Sequence, residues 1–185
     1  MLNSKSGARY RYTDKEISGI LKTAVVLTDT REQKNSHILT GLDALKVSHK
    51  PMALSCGDYS IMLPANAEAG IPRDMYFDSE IIIERKANLS ELAGNFSKHR
   101  ERFKDEMIRA GTASKYLLVE QGGSYAAIIN QQYHSQLSSK AFLASLLSFQ
   151  ARYGLNVIFT GAEMSAELIW GLLYYHVRDW LKGAA

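Results

Sequence analysis

The sequence predicts an α/β fold in which a central mixed sheet is flanked by helices. Short apolar segments typical of strands alternate along the chain with longer segments of helical periodicity, and this alternation is typical of layered α/β domains. The chain has 185 residues, of which 46% are hydrophobic, so it can bury one sizeable core. Because no repeat, low-complexity tract or long linker divides it, we expect a single domain.

The N-terminal part contains a basic arm and a capped helix. Residues 1–12 are polar and basic, with two tyrosines interleaved, and we expect a loose arm. Thr13 and Glu16 have the spacing of a capping box ahead of apolar residues, which predicts a short helix. Residues 1–23 are therefore assigned to the arm and this helix, and residues 24–185 to the folded domain.

The remaining segments follow in order along the chain. Before residue 78 we expect a strand at 24–29 and a helix at 37–47. Two strand pieces around Gly57, consistent with a hairpin, follow at 52–63, and a surface loop follows at 64–77. After it we expect strands at 80–85, 115–120 and 155–160. We expect helices from about Leu89 and at 96–110, 138–154 and 165–182, of which the first is short.

Composition excludes several classes of protein. No apolar run reaches about 18 residues and the polar start lacks a signal-peptide segment, so we expect no membrane span or secretion and place the chain in the cytoplasm. Cys56 is the only cysteine, which excludes an internal disulfide and a cysteine-based zinc site. The histidines lack ligand spacing, and Gly122 and Gly123 lack the rest of a nucleotide-binding fingerprint. The net charge of +3 permits an anionic partner without requiring one.

The strand at "IIIERK" ends in three charged residues, Glu84, Arg85 and Lys86. Because side chains alternate along a strand, Glu84 and Lys86 share one face and Arg85 lies on the other. Burying an unpaired charge is costly, so a carboxylate and an amine on one face indicate a polar cleft. Taken alone, the triplet is more simply a strand that leaves the core at its charged end.

Two earlier segments also end or bend at acidic residues. Asp29 ends the first strand and is followed by Arg31 and Glu32, and Asp58 follows Gly57. Each aspartate could be a turn residue. Together with the triplet, they supply hard oxygen ligands for Mg²⁺ or Mn²⁺, a lysine to orient or deprotonate water, and arginines to hold phosphate. This combination predicts phosphodiester hydrolysis.

The motifs "VVLTDTRE", "GDYS" and "IIIERK" resemble, in order and chemistry, the nuclease domain of the XPF/Hef-type structure-specific endonucleases of the PD-(D/E)XK superfamily. The resemblance covers about residues 24–160, and "NFSKHRERFKDEMIRA" is similar to the helix after that family's active-site strand. It implies a three-layer, restriction-endonuclease-like fold and a metal-dependent DNA endonuclease that cuts branched or junction DNA during repair or recombination.

The resemblance also implies roles for individual residues. Asp58 and Glu84 would bind Mg²⁺ or Mn²⁺, and Lys86 would be the catalytic lysine. Arg85 would contact the active-site carboxylates or the scissile phosphate. Asp29 would complete the pocket as a further catalytic and metal-binding residue.

The expected DNA contacts are Arg31 in the pocket and three residues near the fourth helix. Helical spacing places Arg100 on the apolar stripe of that helix, where it could reach into the cleft or cover apolar surface with its stem. Lys98 and Arg102 fall on the opposite side of the helix, together with Arg109. These residues could contact DNA or could form an ordinary solvated face.

The sequence departs from the family in three places. Ser90 occupies the position of a usual aspartate, and the neighbouring Glu91 has the spacing to cap a helix with Asn88 or to bind the metal. The interval between Asp58 and Glu84, which contains the loop at 64–77, is longer than usual. The chain ends in an apolar helix instead of a helix-hairpin-helix domain, as expected for a stand-alone bacterial or phage-like module.

The function predicted is thus a Mg²⁺- or Mn²⁺-dependent endonuclease that binds DNA and forms a homodimer through its last two helices, as related nuclease domains do. Two alternatives stay open. One is a nuclease of the wider superfamily that acts on linear or single-stranded DNA, and the other is a non-catalytic DNA-binding subunit.

Overall fold

The computed structural model describes residues 12–183, in which one seven-stranded sheet lies between two groups of helices. The helices are α1 to α7, at Asp14–Leu21, Ser36–Ala44, Leu89–Asn95, Arg100–Arg109, Tyr125–Ile129, Ser139–Tyr153 and Ser165–Leu181. The strands are β1 to β7, at Val25–Asp29, Ser48–Met52, Tyr59–Leu63, Met75–Tyr76, Ile81–Lys86, Ser114–Val119 and Leu155–Phe159. The predicted arm lies outside the described residues except for Tyr12, and the boundary at residue 23 stays a prediction.

The sheet is mixed, as the sequence predicts. Its strand order is β2-β1-β3-β5-β6-β7, with β4 paired to β3. The pairs β1–β2, β5–β6 and β6–β7 are parallel, whereas β3 is antiparallel to β1, β4 and β5. Because β3 runs against its neighbours, its first residues lie beside the last residues of β1 and β5.

Two apolar clusters cover the two faces of the sheet and confirm the three-layer architecture. On one face, α1, α2 and α7 pack on strand residues such as Ile61, Ile81 and Ile83. On the other, α3 to α6 pack on Leu117 and Val119 of β6. The continuous apolar runs in β5 and β6 thus follow directly from burial on both faces.

The predicted hairpin at 52–63 is wrong. Residues 48–52 form β2, which pairs in parallel with β1, so β1 lies between β2 and β3. The parallel pair is joined by α2, the type of crossover that parallel strands require. Residues 53–58 are then a connection that passes the end of β1.

Three other elements differ from expectation. The loop at 64–77 contains a short 3₁₀ turn at Ala67–Ala69 and the strand β4, which pairs with β3. The helix predicted from residue 96 begins at Arg100, because Phe96 already ends α3. Helix α5 was not predicted, although Ser124 caps its first turn. No helix within residues 12–183 is long and apolar enough to cross a membrane.

Candidate active site

The ends of β1 and β5 and the start of β3 are joined by backbone hydrogen bonds around Asp58. The Asp29 N–H donates to the Asp58 carbonyl oxygen at 2.8 Å, and the Asp58 N–H donates to the Ile83 carbonyl oxygen at 2.9 Å. The Arg85 N–H donates to Asp58 Oδ2 at 2.7 Å. Asp58 is therefore fixed between two strands, and its carboxylate lies beside the charged end of β5.

Two adjacent cavities open at this edge of the sheet. The first, of about 280 Å³, is lined by Arg31, Glu32, Gly57, Asp58, Glu84, Arg85, Lys86, Glu91, Arg102, Glu106 and Arg109. The second, of about 670 Å³, shares four of these residues and adds Gln33, Lys34, Ala87 and Asn88. Most of the predicted site residues therefore line one cleft, which carries both acidic and basic groups.

Glu84 and Lys86 form a buried ion pair on one face of β5, as the alternation predicts. Lys86 Nζ donates to Glu84 Oε1 at 2.5 Å, and both side chains are buried. Burial alone would lower the pKa of Lys86, but the Glu84 and Asp58 carboxylates and the hydrogen bond to Glu84 raise the pKa above its usual value. Lys86 is thus an ammonium at neutral pH.

The carboxyls of Asp58 and Glu84 have raised pKa values. Burial is the largest cause for both, and repulsion from the Glu84 carboxylate raises the pKa of Asp58 further. Lys86 opposes the shift in both cases. Two carboxylates held close together in a cleft, of which Glu84 is buried and Asp58 half-buried, are stabilised in their charged form by a cation.

These two carboxylates fit a divalent metal of the magnesium type. The hydrogen bonds within residues 12–183 use Asp58 Oδ2 and Glu84 Oε1, which leaves the second oxygen of each carboxylate available to the cleft. No group of three His, Cys, Asp or Glu side chains in that range has metal-binding geometry. Mg²⁺ commonly binds through one or two carboxylates together with waters and substrate phosphates, so a two-carboxylate site is sufficient.

The structure does not bring Asp29 into this pair as a third ligand. Each of its carboxylate oxygens accepts two hydrogen bonds. Oδ1 accepts from the Arg31 N–H and from Arg31 Nε, and Oδ2 accepts from Arg31 Nη2 and from the Leu54 N–H. Burial would raise the pKa of Asp29, but these bonds hold it below the usual value. Asp29 does not line either cavity, and the geometry indicates that it positions Arg31 and the 53–58 connection.

Arg85 points to the opposite side of β5 and meets a residue that sequence reasoning missed. Its Nη2 donates to Glu120 Oε2 at 2.5 Å, and its Nη1 lies 3.6 Å from Glu32 Oε1. Glu120 directly follows β6 and is fully buried. An acidic residue after an apolar strand was the signal that identified Asp29, and the same signal in "KYLLVE" could have identified Glu120.

The orientation of α4 differs from the prediction. Arg100 does not reach the cleft, since its Nη1 donates to Ser145 Oγ of α6 at 2.9 Å and its guanidinium lies over the Phe149 ring. Positions three and four apart share a face of a helix, so the face opposite Arg100 carries Arg102, Glu106 and Arg109. This second face lines the first cavity.

Glu106 was not predicted as a site residue, and it contacts the turn before Asp58. Its Oε1 accepts a hydrogen bond from the Gly57 N–H at 3.2 Å. Gly57 has a φ of +74°, a conformation that glycine adopts without strain. A Cβ there would also lie 3.0 Å from Ile82 Cβ, so both backbone conformation and space favour glycine at this turn.

Glu91 lines the cleft, whereas Lys98 lies outside it. Asn88 Oδ1 accepts the Glu91 N–H, and Glu91 Oε2 accepts the Ala87 N–H at 2.9 Å. This arrangement favours the capping interpretation of Glu91, whose other oxygen lies 4.0 Å from Lys86 Nζ. Lys98 lines a different cavity of about 650 Å³, next to Ser90.

The chain is similar to known proteins at the level of family and of fold. The family model for the ERCC4 domain matches residues 28–172, which is most of the chain. No curated protein sequence matches it. Among solved structures, XPF from Aeropyrum pernix matches at a TM-score of 0.56 and 21% identity, covering 82% of this chain and 60% of that one. XPF from Aeropyrum pernix in complex with DNA matches at 0.58 and 22%, covering 84% and 66%. The chain thus spans about two thirds or less of those proteins, whose fold it shares.

Proposed function

The chain belongs to the ERCC4 domain family, and we propose that it is a metal-dependent DNA endonuclease. The resemblance of its three motifs to XPF/Hef-type nuclease domains is confirmed by that membership. The observation that carries the proposal is the placing of Asp58, Glu84 and Lys86 in one cleft, with two carboxylates and an ammonium directed to the same side.

Asp58 and Glu84 would hold Mg²⁺ or Mn²⁺. When bound, such an ion supplies Lewis-acid stabilisation of charge on phosphate and activation of water. The Arg85 N–H bonded to Asp58 and the Lys86 ammonium bonded to Glu84 orient the two carboxylates. Asp29 is not included among the ligands, because its oxygens are already occupied.

Lys86 acts as a fixed positive charge in this proposal. Its raised pKa keeps it protonated at neutral pH, so it would orient water and stabilise negative charge developing on the phosphate. A preorganised cation in a cleft with little water stabilises such charge more strongly than it would in bulk water.

The phosphate contacts are assigned to basic side chains around the first cavity. Arg102 and Arg109 are exposed on the α4 face that lines it, and Arg31 lies at its border with the second cavity. Arginine forms charge-assisted, bidentate hydrogen bonds with phosphate. Arg85 is buried against Glu120, so its role is closer to holding the carboxylates than to binding the DNA backbone.

Branched or junction DNA is the proposed substrate, and a homodimer the proposed assembly. The proposal of branched DNA as the substrate rests on the resemblance to the family alone. The dimer is supported by apolar residues exposed on the last two helices, with Leu147 on α6 and Tyr175 on α7 each at least half exposed. Beside Tyr175, a cavity of about 530 Å³ is lined by Tyr116, Leu168 and Leu172.

The test is cleavage of end-labelled forks, flaps, Holliday junctions, linear duplexes and single strands in Mg²⁺, Mn²⁺ or Ca²⁺. We expect cleavage of branched DNA in Mg²⁺ or Mn²⁺ and binding with little cleavage in Ca²⁺. Asp58→Asn and Glu84→Gln should each abolish cleavage while the circular dichroism spectrum stays unchanged, since neither side chain belongs to the apolar core.

The outcomes separate the alternatives. Preference for linear or single-stranded substrates would support a nuclease of the wider superfamily. Binding without cleavage in any metal would support a DNA-binding subunit and contradict the proposal. Retention of cleavage by both carboxylate variants would contradict the metal assignment.

A further inference from the structure

Glu120 connects the catalytic strand to two helices on the far side of the sheet. Its carboxylate is fully buried and accepts hydrogen bonds from three residues. The donors are Arg85 Nη2 at 2.5 Å, His37 Nε2 of α2 at 2.9 Å and Ser165 Oγ, at the first residue of α7, at 2.5 Å. One carboxylate thus holds β5, α2 and α7 together.

The charge of this carboxylate is compensated locally. Burial would raise the pKa of Glu120, but hydrogen bonds from Arg85, His37 and Ser165 lower it below the usual value. A buried ion pair is maintained only where hydrogen bonds satisfy its remaining donors and acceptors. Removing the charge of Glu120 would leave the Arg85 guanidinium, which is also buried, with only Glu32 nearby.

Arg85 connects Glu120 to the proposed metal ligands. It lies between Glu84 and Lys86 in sequence, and its backbone N–H binds Asp58 Oδ2. Its side chain is anchored on Glu120 at the other face of the sheet, so the anchor restricts the rotation of the strand end that carries Glu84 and binds Asp58 through the Arg85 N–H. Arg85 Nε is buried and has no partner within residues 12–183, so Glu120 and Glu32 provide all the ion-pair contacts found for this guanidinium there.

We propose that Glu120 is a positioning residue, which through Arg85 holds the end of β5 and Asp58 in the geometry for cleavage and ties that geometry to the first turn of α7. The proposal rests on the proposed nuclease function for its kinetic consequence. Its structural consequence, the immobilisation of Arg85, is independent of activity.

The first experiment reads out Arg85 directly. In protein labelled with ¹⁵N-arginine, the Arg85 Nε–Hε resonance is identified by its absence in Arg85→Lys. We expect slow exchange with water in the wild type because the group is buried, and faster exchange with a shifted resonance in Glu120→Gln. An unchanged Arg85 resonance in Glu120→Gln overturns the inference, whether or not the protein cleaves DNA.

The second experiment is a double-mutant cycle measured on DNA cleavage. Glu120→Gln should lower kcat by about 10- to 100-fold, the range typical of residues that orient active-site ligands, with KM changed by less than about threefold. In an Arg85→Gln background, Glu120→Gln should have almost no further effect, because two residues in one interaction are not additive. Full additivity would show that Glu120 does not act through Arg85.

Two further variants keep the test decisive. Ser165→Ala removes one donor but keeps the Arg85–Glu120 ion pair, and we expect the same changes at smaller amplitude; if Glu120→Gln fails to fold, the Arg85 resonance and kcat of Ser165→Ala decide the question. Glu163→Gln, an exposed carboxylate just before α7, is the matched control and should change neither. If the wild type cleaves no DNA, the nuclease proposal fails while the Arg85 resonance still tests the positioning role.

Discussion

Asp58, Glu84 and Lys86 are held in unequal environments by a small number of contacts. Asp58 is fixed by backbone hydrogen bonds from two neighbouring strands, whereas Glu84 and Lys86 fix each other through a side-chain ion pair. Two carboxylates and one ammonium leave a net negative charge among these three groups. Binding of a cation would offset this charge, and the ammonium would then face the phosphate.

The role of Lys86 can be tested by Lys86→Met, which keeps the length of the side chain and removes its charge. We expect cleavage to fall at least ~100-fold, about 2.7 kcal/mol, because charge in the transition state loses its fixed cation. DNA affinity in Ca²⁺ should change by less than about tenfold, since one phosphate contact is a small part of binding. Single-turnover cleavage and fluorescence anisotropy measure the two effects, and an equal loss in both would identify Lys86 as a docking residue.

Asp29 should contribute to stability and not only to the site. Asp29→Asn should lower the free energy of unfolding at pH 7 by about 1–3 kcal/mol, because a charged acceptor loses strong hydrogen bonds. The folded-state pKa of Asp29 is lowered, so this contribution is present above its ordinary value of 3.8 and is lost as the pH falls through the folded pKa.

Urea denaturation across pH checks this prediction. The difference between wild type and Asp29→Asn should be nearly constant from pH 7 to about pH 4 and should narrow below that. Asp105→Asn, on an exposed surface of α4, is the control and should show little difference at any pH. A difference that grows on acidification would contradict the assignment.

At the scale of elements, the predicted strand ends were sufficient to bring Asp58, Glu84 and Lys86 into one cleft, because a buried strand rarely stops at a carboxylate unless that charge is paired or binds a cation. The hairpin at 52–63 was wrong because local turn signals around Gly57 do not show whether another strand intervenes. The sequence predicts Phe96, Phe103 and Met107 as the apolar stripe of the fourth helix, and of these Phe103 and Met107 lie buried on α4, whereas Phe96 ends α3. This stripe faces α6 and not the cleft. Helical spacing shows which residues share a face, but the element that this face contacts depends on how the helices pack on the sheet.

We expect arginines on the two faces of α4 to differ in their effect on DNA binding. Arg102→Gln and Arg109→Gln should each weaken DNA binding and reduce the slope of log K against log salt by about 0.9, the value expected for one phosphate contact. Arg100→Gln should leave the affinity and slope unchanged and lower the melting temperature slightly, since Arg100 contacts Ser145 and Phe149 of α6. Anisotropy titrations in Ca²⁺ at several salt concentrations measure this. Loss of affinity in Arg100→Gln alone would reverse the assignment of the two faces.

At the scale of the whole molecule, the apolar surface is distributed unevenly. Helix α7 packs its buried side on α2 and the sheet, while Leu172 and Tyr175 stay partly or largely accessible beside Tyr116 of β6. A helix that is apolar on more than its core-facing side usually packs against something else as well. A second copy of the chain, related by twofold symmetry, could cover this surface with the same residues.

The homodimer can therefore be tested by charge insertion on α7. Leu172→Glu and Tyr175→Glu should convert a dimer to a monomer in sedimentation velocity, because each would bury an unpaired charge twice in an apolar twofold contact. Ile108→Glu is the matched control, since Ile108 is 56% exposed on α4, outside both helices of the proposed interface, and it should leave the dimer intact. If the wild type sediments as a monomer at micromolar concentration, or if all three variants dissociate it equally, the surface of α7 is not the dimer interface. Dissociation that also lowers cleavage would further indicate that the dimer supports the active site.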